Sequence, residues 1–166
     1  MLVDGLGHGS AAEAASLAAI DELESFEAGV SVEEALTRIH ERLRGTRGAA
    51  ATLGFFDDEG VILGGVGNVS VRSLGSPSLP FVPDSGVLGG RIRKPRSTRI
   101  ELEPGARMLL HTDGIVRTSP FEAIAGLDAE AMCAILLEKH SHSHDDATLI
   151  HVTYLGPGAD PSRPRA

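Results

Sequence analysis

Apolar positions along the chain divide it into a helical opening, a strand-rich middle and a mixed end. Leu2-Val3 has the look of the end of a buried strand, and it delivers one carboxylate, Asp4, to the strand's tip. Gly5, Gly7 and Gly9 then let the backbone turn sharply and approach other groups closely. Ala12, Ala15, Ala19, Leu23 and Phe26 recur at helical spacing, which predicts a helix from about Ser10 whose small face packs tightly on a sheet. Ser10 and Glu13 have the spacing of a capping box at its start. Val32, Leu36, Ile39 and Leu43 predict a second helix, opened by a Ser31/Glu34 capping box and ended at Gly45. Arg38, Arg42 and Arg44 near its end suit the negative pole of the helix dipole.

The period shortens after Gly48. Residues 49–56 and 61–66 are strand-like and are joined by the hairpin turn Asp57-Asp58-Glu59-Gly60. Strands follow over 69–74, 96–102 and 108–111, the last running into Thr112-Asp113-Gly114. Residues 75–90 hold prolines and glycines with few strong signals. Residues 127–140 predict a helix capped by Asp128, with Met132, Ile135 and Leu136 on one face. Residues 147–155 predict a strand directly after Asp145-Asp146. Helices and strands do not alternate regularly, so a doubly wound parallel sheet is disfavoured. An α+β fold, with helices layered on antiparallel sheet, is expected.

Composition narrows the field. A chain of 166 residues is enough for one domain with a real core, and with no Trp and one Tyr that core is built from Ala, Val, Leu and Ile. A net charge of −8 argues against nucleic acid and anionic membrane as partners. The single cysteine, Cys133, cannot form an internal disulfide, and no apolar run approaches membrane-span length, so a cytoplasmic setting is expected. Residues 1–155 are expected to form the single domain, and the Pro/Gly-rich 156–166 a disordered tail.

The chemistry lies in acids that share one context. Asp4, Asp113 and Asp145 each stand where a short apolar strand meets a turn. Acids at strand ends converge on one sheet edge even when far apart in sequence. Oxygen-only ligands suit Mg2+ or Mn2+, which activate water and offset phosphoryl charge. Each Asp-Gly step is also ordinary turn chemistry.

Asp4-Gly-Leu-Gly-His-Gly9, Thr112-Asp-Gly-Ile115 and Asp145-Asp-Ala-Thr-Leu-Ile150 together resemble the acidic motifs of the metal-dependent PPM-type protein serine/threonine phosphatases. The bacterial SpoIIE/RsbX-like branch is the nearer likeness, through Gly64-Gly-Val-Gly-Asn68, Gly86-Val-Leu-Gly-Gly90 and the spacing from Gly90 to Asp113. The resemblance implies an α-β-β-α sandwich with a dinuclear Mn2+ or Mg2+ site on one edge. Asp4 would bridge two ions, the Gly5 carbonyl would bind the second, and Asp113 and Asp145 would complete the first. A metal-activated water would attack the phosphorus in line. Asp146 would orient the turn. The branch implies a phosphorylated STAS-type anti-anti-sigma or stressosome protein as substrate and partner, in stress signalling through sigma-factor regulation.

The family pattern also has an acidic ligand on a strand upstream of the first motif. Only three residues precede Asp4, so the sandwich is expected to be N-terminally truncated, and one ion keeps only Asp4 and a carbonyl. This motivates an alternative: a degenerate, non-catalytic phosphatase-fold binding module in the same signalling system. A further alternative takes Asp4-x-Gly-x-Gly as the nucleotide-lid motif of histidine-kinase-like ATPases, which calls for a preceding helix. Where many members carry a proton-donating His, this chain has Leu6, with His8 nearby as a substitute. His140, His142 and His144 are expected in a solvated loop, His111 in the core, Cys133 as inert packing. The basic run Arg91 to Arg96 is either solvated or a flap that steers an acidic partner.

Overall fold

A computed structural model describes residues 1–75 and 79–158, so most of the expected tail lies outside the described residues. Strands β1 (Leu2–Gly5), β2 (Ala49–Asp57), β3 (Gly60–Val66) and β5 (Ser97–Glu101) form one antiparallel sheet in the order β1-β2-β3-β5. Strands β4 (Ser70–Ser73), β6 (Arg107–His111) and β7 (Leu149–Thr153) form a second, in the order β4-β6-β7. Helices α1 (Ser10–Glu24) and α2 (Val32–Arg42) cover the first sheet, and α4 (Ala129–His140) covers the second. A short helix, α3 (Phe121–Ile124), was not predicted. The expected α-β-β-α sandwich of antiparallel sheets is what forms.

Alternation along the strands builds the layers. Ala49, Ala51 and Leu53 of β2 face α1 and α2, where they meet Ala15, Ala19, Leu36 and Ile39. Ala50 of β2 and Val61 and Leu63 of β3 face the opposite way, onto Met108 and Leu110 of β6. Leu109, one residue out of phase, meets Met132 and Leu136 of α4. Each fully buried Leu or Met contributes about 1.5–3 kcal/mol through removal from water.

Most predicted boundaries hold to within two or three residues, and the departures have local causes. The Ser10 capping box does not form: Gly9 is the N-cap of α1, with no side-chain cap, at φ 79°. That left-handed conformation favours glycine, which shifts Ser10 into the first turn. The Ser31 hydroxyl does accept from Glu34 N–H, as expected. Helix α1 ends before Phe26, which instead packs on the core edge beneath the Arg38 guanidinium. Strand β7 starts at Leu149 rather than Ala147 because Thr148 is held in another bond, described below.

Gly5→Ala tests how tightly α1 sits on β1. A Cβ at Gly5 would lie 2.1 Å from the Ala12 carbonyl oxygen, whereas Gly126 faces open space. Urea denaturation is expected to show Gly5→Ala destabilised by about 1–3 kcal/mol, and Gly126→Ala within about 0.5 kcal/mol of wild type.

Candidate functional site

Each acid reaches the site from a different element. Asp4 sits next to last in β1, its backbone in register with Ala50. Asp113 follows β6, and Asp145 and Asp146 precede β7. The first sheet thus supplies Asp4, and the second supplies the rest.

Two clasps hold the loops of the second sheet together. Thr112 N–H donates to the Thr148 carbonyl at 3.0 Å, and Thr148 N–H donates to Thr112 Oγ1 at 3.1 Å. His142 N–H donates to the Gly114 carbonyl at 2.8 Å. Gly114 lies so close that a Cβ there would stand 2.1 Å from the Asp146 carbonyl oxygen. The glycine after Asp113 therefore serves close approach, as Gly5 does after Asp4. Asn68, between the sheets in the chain, donates from Nδ2 to Asp113 Oδ2 at 2.5 Å and fixes that carboxylate.

Electrostatics show the convergence. The Asp4 carboxyl is pushed up to about 6, first by burial and then by the charges of Asp113 and Asp145. A hydrogen bond to Asp113 and the charge of Asp146 add to the effect. Like charges this close disfavour ionisation, and a cation would reverse the balance. All the donors are hard oxygens, so the set fits Mg2+ or Mn2+ rather than a soft metal. Asp4 and Asp113 are in direct contact, but among the described residues no three His, Cys, Asp or Glu side chains are grouped tightly enough to hold an ion.

A second layer lies behind Asp113. His111 is buried; its ring contacts the Thr112 carbonyl from Nδ1 at 2.8 Å and stacks on Phe121 with centroids 5.4 Å apart. Arg72 Nε–H donates to His111 Nε2 at 3.1 Å, and the Arg72 guanidinium lies over the Phe121 ring, 4.2 Å from its centroid. With Nε2 accepting, Nδ1 carries the proton and donates to Thr112. Burial holds the His111 pKa below its ordinary value, so the ring is neutral. His111 is thus the satisfied core histidine expected from its apolar strand.

The remaining expectations divide. His8, His142 and His144 are exposed and His140 is half-buried; this segment meets the site through backbone groups. Cys133 is half-buried, and burial raises its thiol pKa. The basic run is not simply solvated: Arg96 pairs with Asp84 through Nε at 2.9 Å and Nη2 at 2.5 Å, closing the 84–96 loop. The nucleotide-lid alternative loses its support, because Asp4 stands on strand β1 and the glycines lead into a helix. Two residues went unread: Asn68 as a partner of Asp113, whose only signal was its place after Gly64-Gly-Val-Gly, and Arg47, which lies against Gly7.

The family model described as Stage II sporulation protein E (SpoIIE) matches residues 1–155. Phosphoserine phosphatase RsbX of Bacillus subtilis (strain 168) is 32% identical over 118 residues, which cover 69% of this chain and 59% of that protein. The match thus spans less than two thirds of that relative's length. A solved chain from a study of the bacterial stressosome as a modular system for secondary messenger signaling superposes with a TM-score of 0.81 at 29% identity, covering 90% of this chain and 81% of its own. RsbX in complex with magnesium gives a TM-score of 0.74 at 27% identity, covering 90% of this chain and 76% of its own. The Mycobacterium tuberculosis serine/threonine phosphatase PstP/Ppp shares the fold, with a TM-score of 0.64 at 19% identity over 93% of this chain and 86% of its own.

The Asp4 shift carries a signed prediction for the metal-free protein. With a folded-state pKa of about 6 against an ordinary 3.8, the folded state binds more protons between those values. Stability from this group is therefore fully present below the ordinary pKa and is lost as pH rises through about 6. In EDTA, Asp4→Asn is expected to melt higher than wild type at pH 7 and to lose that advantage at pH 4. Millimolar Mn2+ is expected to raise the wild-type melting temperature and to leave Asp4→Asn unmoved. Thermal scans across pH check both.

Proposed function

The chain belongs to the SpoIIE family, and on that footing we propose that it is a divalent-metal-dependent phosphatase acting on phosphoserine or phosphothreonine of a bacterial regulatory protein. The observation that carries this reading is the convergence of Asp113, Asp145 and Asp146 on the half-buried Asp4 at one rim of the sandwich. So concentrated a negative charge is a poor place for a phosphate unless cations stand between them. Asp4 is the shared ligand in this reading, with the Gly5 carbonyl beside it. Asp113, fixed by Asn68, and Asp145, on its turn, complete the set. Asp146 contributes its backbone, packed on Gly114, and orients that turn. Bound Mg2+ or Mn2+ would supply two things: neutralisation of phosphoryl charge and a water acidified enough to act as nucleophile. The protein's part is to crowd the carboxylates at one rim and to hold the two loops in register.

The substrate class follows from kinship. RsbX is described as a phosphoserine phosphatase, and a stressosome structure superposes closely. Both support a phosphorylated STAS-type or stressosome protein as the partner in stress signalling.

A second reading has one observation in its favour: no three acidic side chains among the described residues already enclose an ion. In that case the domain is a non-catalytic binding module of the same system. Calorimetric titration with Mn2+ separates the two. Binding of two ions supports the phosphatase, and no heat at millimolar metal supports the module.

The activity test is release of inorganic phosphate from a phosphorylated STAS-domain protein with Mn2+ present. Wild type is expected to turn over and EDTA to stop it. Asp113→Asn is expected to lower the rate by about 100-fold or more, since even groups that only orient ligands cost up to that much. Equal rates for wild type and Asp113→Asn would overturn the proposal.

A further inference from the structure

Against the glycine turn that follows Asp4 lies a cation with no acidic partner among the described residues. Arg47 lies in the loop between α2 and β2, two residues before Ala49 enters the sheet. Its main chain is pinned to the glycine turn, because Leu6 N–H donates to the carbonyl of the next residue, Gly48, at 2.9 Å. Gly48 is held from the other side, where a Cβ would stand 2.5 Å from the Leu88 carbonyl oxygen. The side chain then folds over the turn: a Cβ at Gly7 would lie 2.5 Å from Arg47 Nη1. The bare backbone of Gly7 is the seat of this guanidinium.

Arg47 is exposed and makes no hydrogen bond, ion pair or ring contact with any described residue. Arg38, Arg44, Arg96 and Arg99 are committed to Glu22, Glu41, Asp84 and the Asp57/Glu59 pair, whereas Arg42, Arg91, Arg93 and Arg117 share with Arg47 the lack of an ion pair among the described residues; what sets Arg47 apart is its place against the glycine turn after Asp4. Arg47 Nη1 lies against Gly7, which follows Asp4 by three residues of sequence. A planar fork of free N–H donors is suited to a phosphate oxygen pair.

We propose that Arg47 is the residue that binds the phosphate of the substrate, a phosphomonoester dianion on a protein side chain, at the rim of the acidic site. The inference rests on the phosphatase reading for its substrate class. Arg47 grips the non-reacting oxygens from outside the carboxylate cluster, and the Gly7 seat fixes the direction from which the phosphate enters. A side chain at Gly7 would displace the guanidinium, so Gly7 and Arg47 work as a pair. Arg47 ligates no cation, so its loss leaves metal binding intact.

Two measurements on the Mg2+-loaded protein test it: the 31P line width of inorganic phosphate on titration, and KM and kcat for a phosphoserine peptide. Arg47→Ala is expected to weaken phosphate binding and raise KM by about 10-fold or more, the usual loss for one charge-assisted bond. Arg47→Lys is expected to recover part of both, because it keeps the charge without the fork. Calorimetric Mg2+ affinity is expected to be unchanged in both variants. Wild-type phosphate binding and KM in Arg47→Ala would overturn the assignment while leaving the phosphatase reading standing. Lost Mg2+ affinity in Arg47→Ala would also overturn it, by exposing a structural role. If wild type binds phosphate through Arg47 yet turns nothing over, the anion site stands and the catalytic reading falls.

Discussion

Repulsion between carboxylates is the constraint around which this fold is arranged. Asp4, Asp113, Asp145 and Asp146 come from two sheets, and burial of Asp4 together with the neighbouring negative charges pushes its carboxyl up to about 6. Such a group does not assemble by attraction. It is forced together by contacts that leave no slack: Gly5 against the Ala12 carbonyl, Gly114 against the Asp146 carbonyl, and the reciprocal Thr112–Thr148 bonds. The apolar layers behind them provide the driving force. The helix-facing alanines of β2 and the inter-sheet residues of β3 and β6 bury the area that offsets the electrostatic cost.

Much of this was legible in the chain. Period-two alternation on β2 and β3 and helical spacing on α1 and α2 gave the layer order, because burial on alternate faces leaves a repeating imprint. The three acidic motifs were visible because each joins a strand end to a small residue. What could not be read was lateral. Asn68 meets Asp113 across 45 positions of sequence, and a lone Asn after a glycine run carries no mark of its partner. Arg47 was hidden for the same reason, since nothing local distinguishes it from the paired Arg44 three residues earlier. The Gly9 cap was misjudged because Ser10 and Glu13 satisfy a local rule that a backbone conformation two atoms away overrules.

Membership of the SpoIIE family and the superposition on RsbX with magnesium agree with the carboxylate geometry on the kind of chemistry to expect. They do so from independent directions: one from overall likeness, the other from charge crowded at a single rim. The layer behind Asp113 shows how the fold supports that rim at a distance. A neutral His111, held between Arg72 and the Thr112 carbonyl and stacked on Phe121, stiffens the end of β6 where Asp113 departs.

The division of the acids between the sheets has a mechanical meaning. Asp4 belongs to one slab of the sandwich, and Asp113 and Asp145 belong to the other; the interface between the slabs is apolar and without direction. Apolar surfaces resist separation far better than they resist sliding. Across that slip plane, the polar ties include Asn68 to Asp113 and Thr52 Oγ1 to the Val69 carbonyl. A cation shared between Asp4 and Asp113 would act as a rivet through both slabs, and shear between them would register first as a change in the distance between two oxygens.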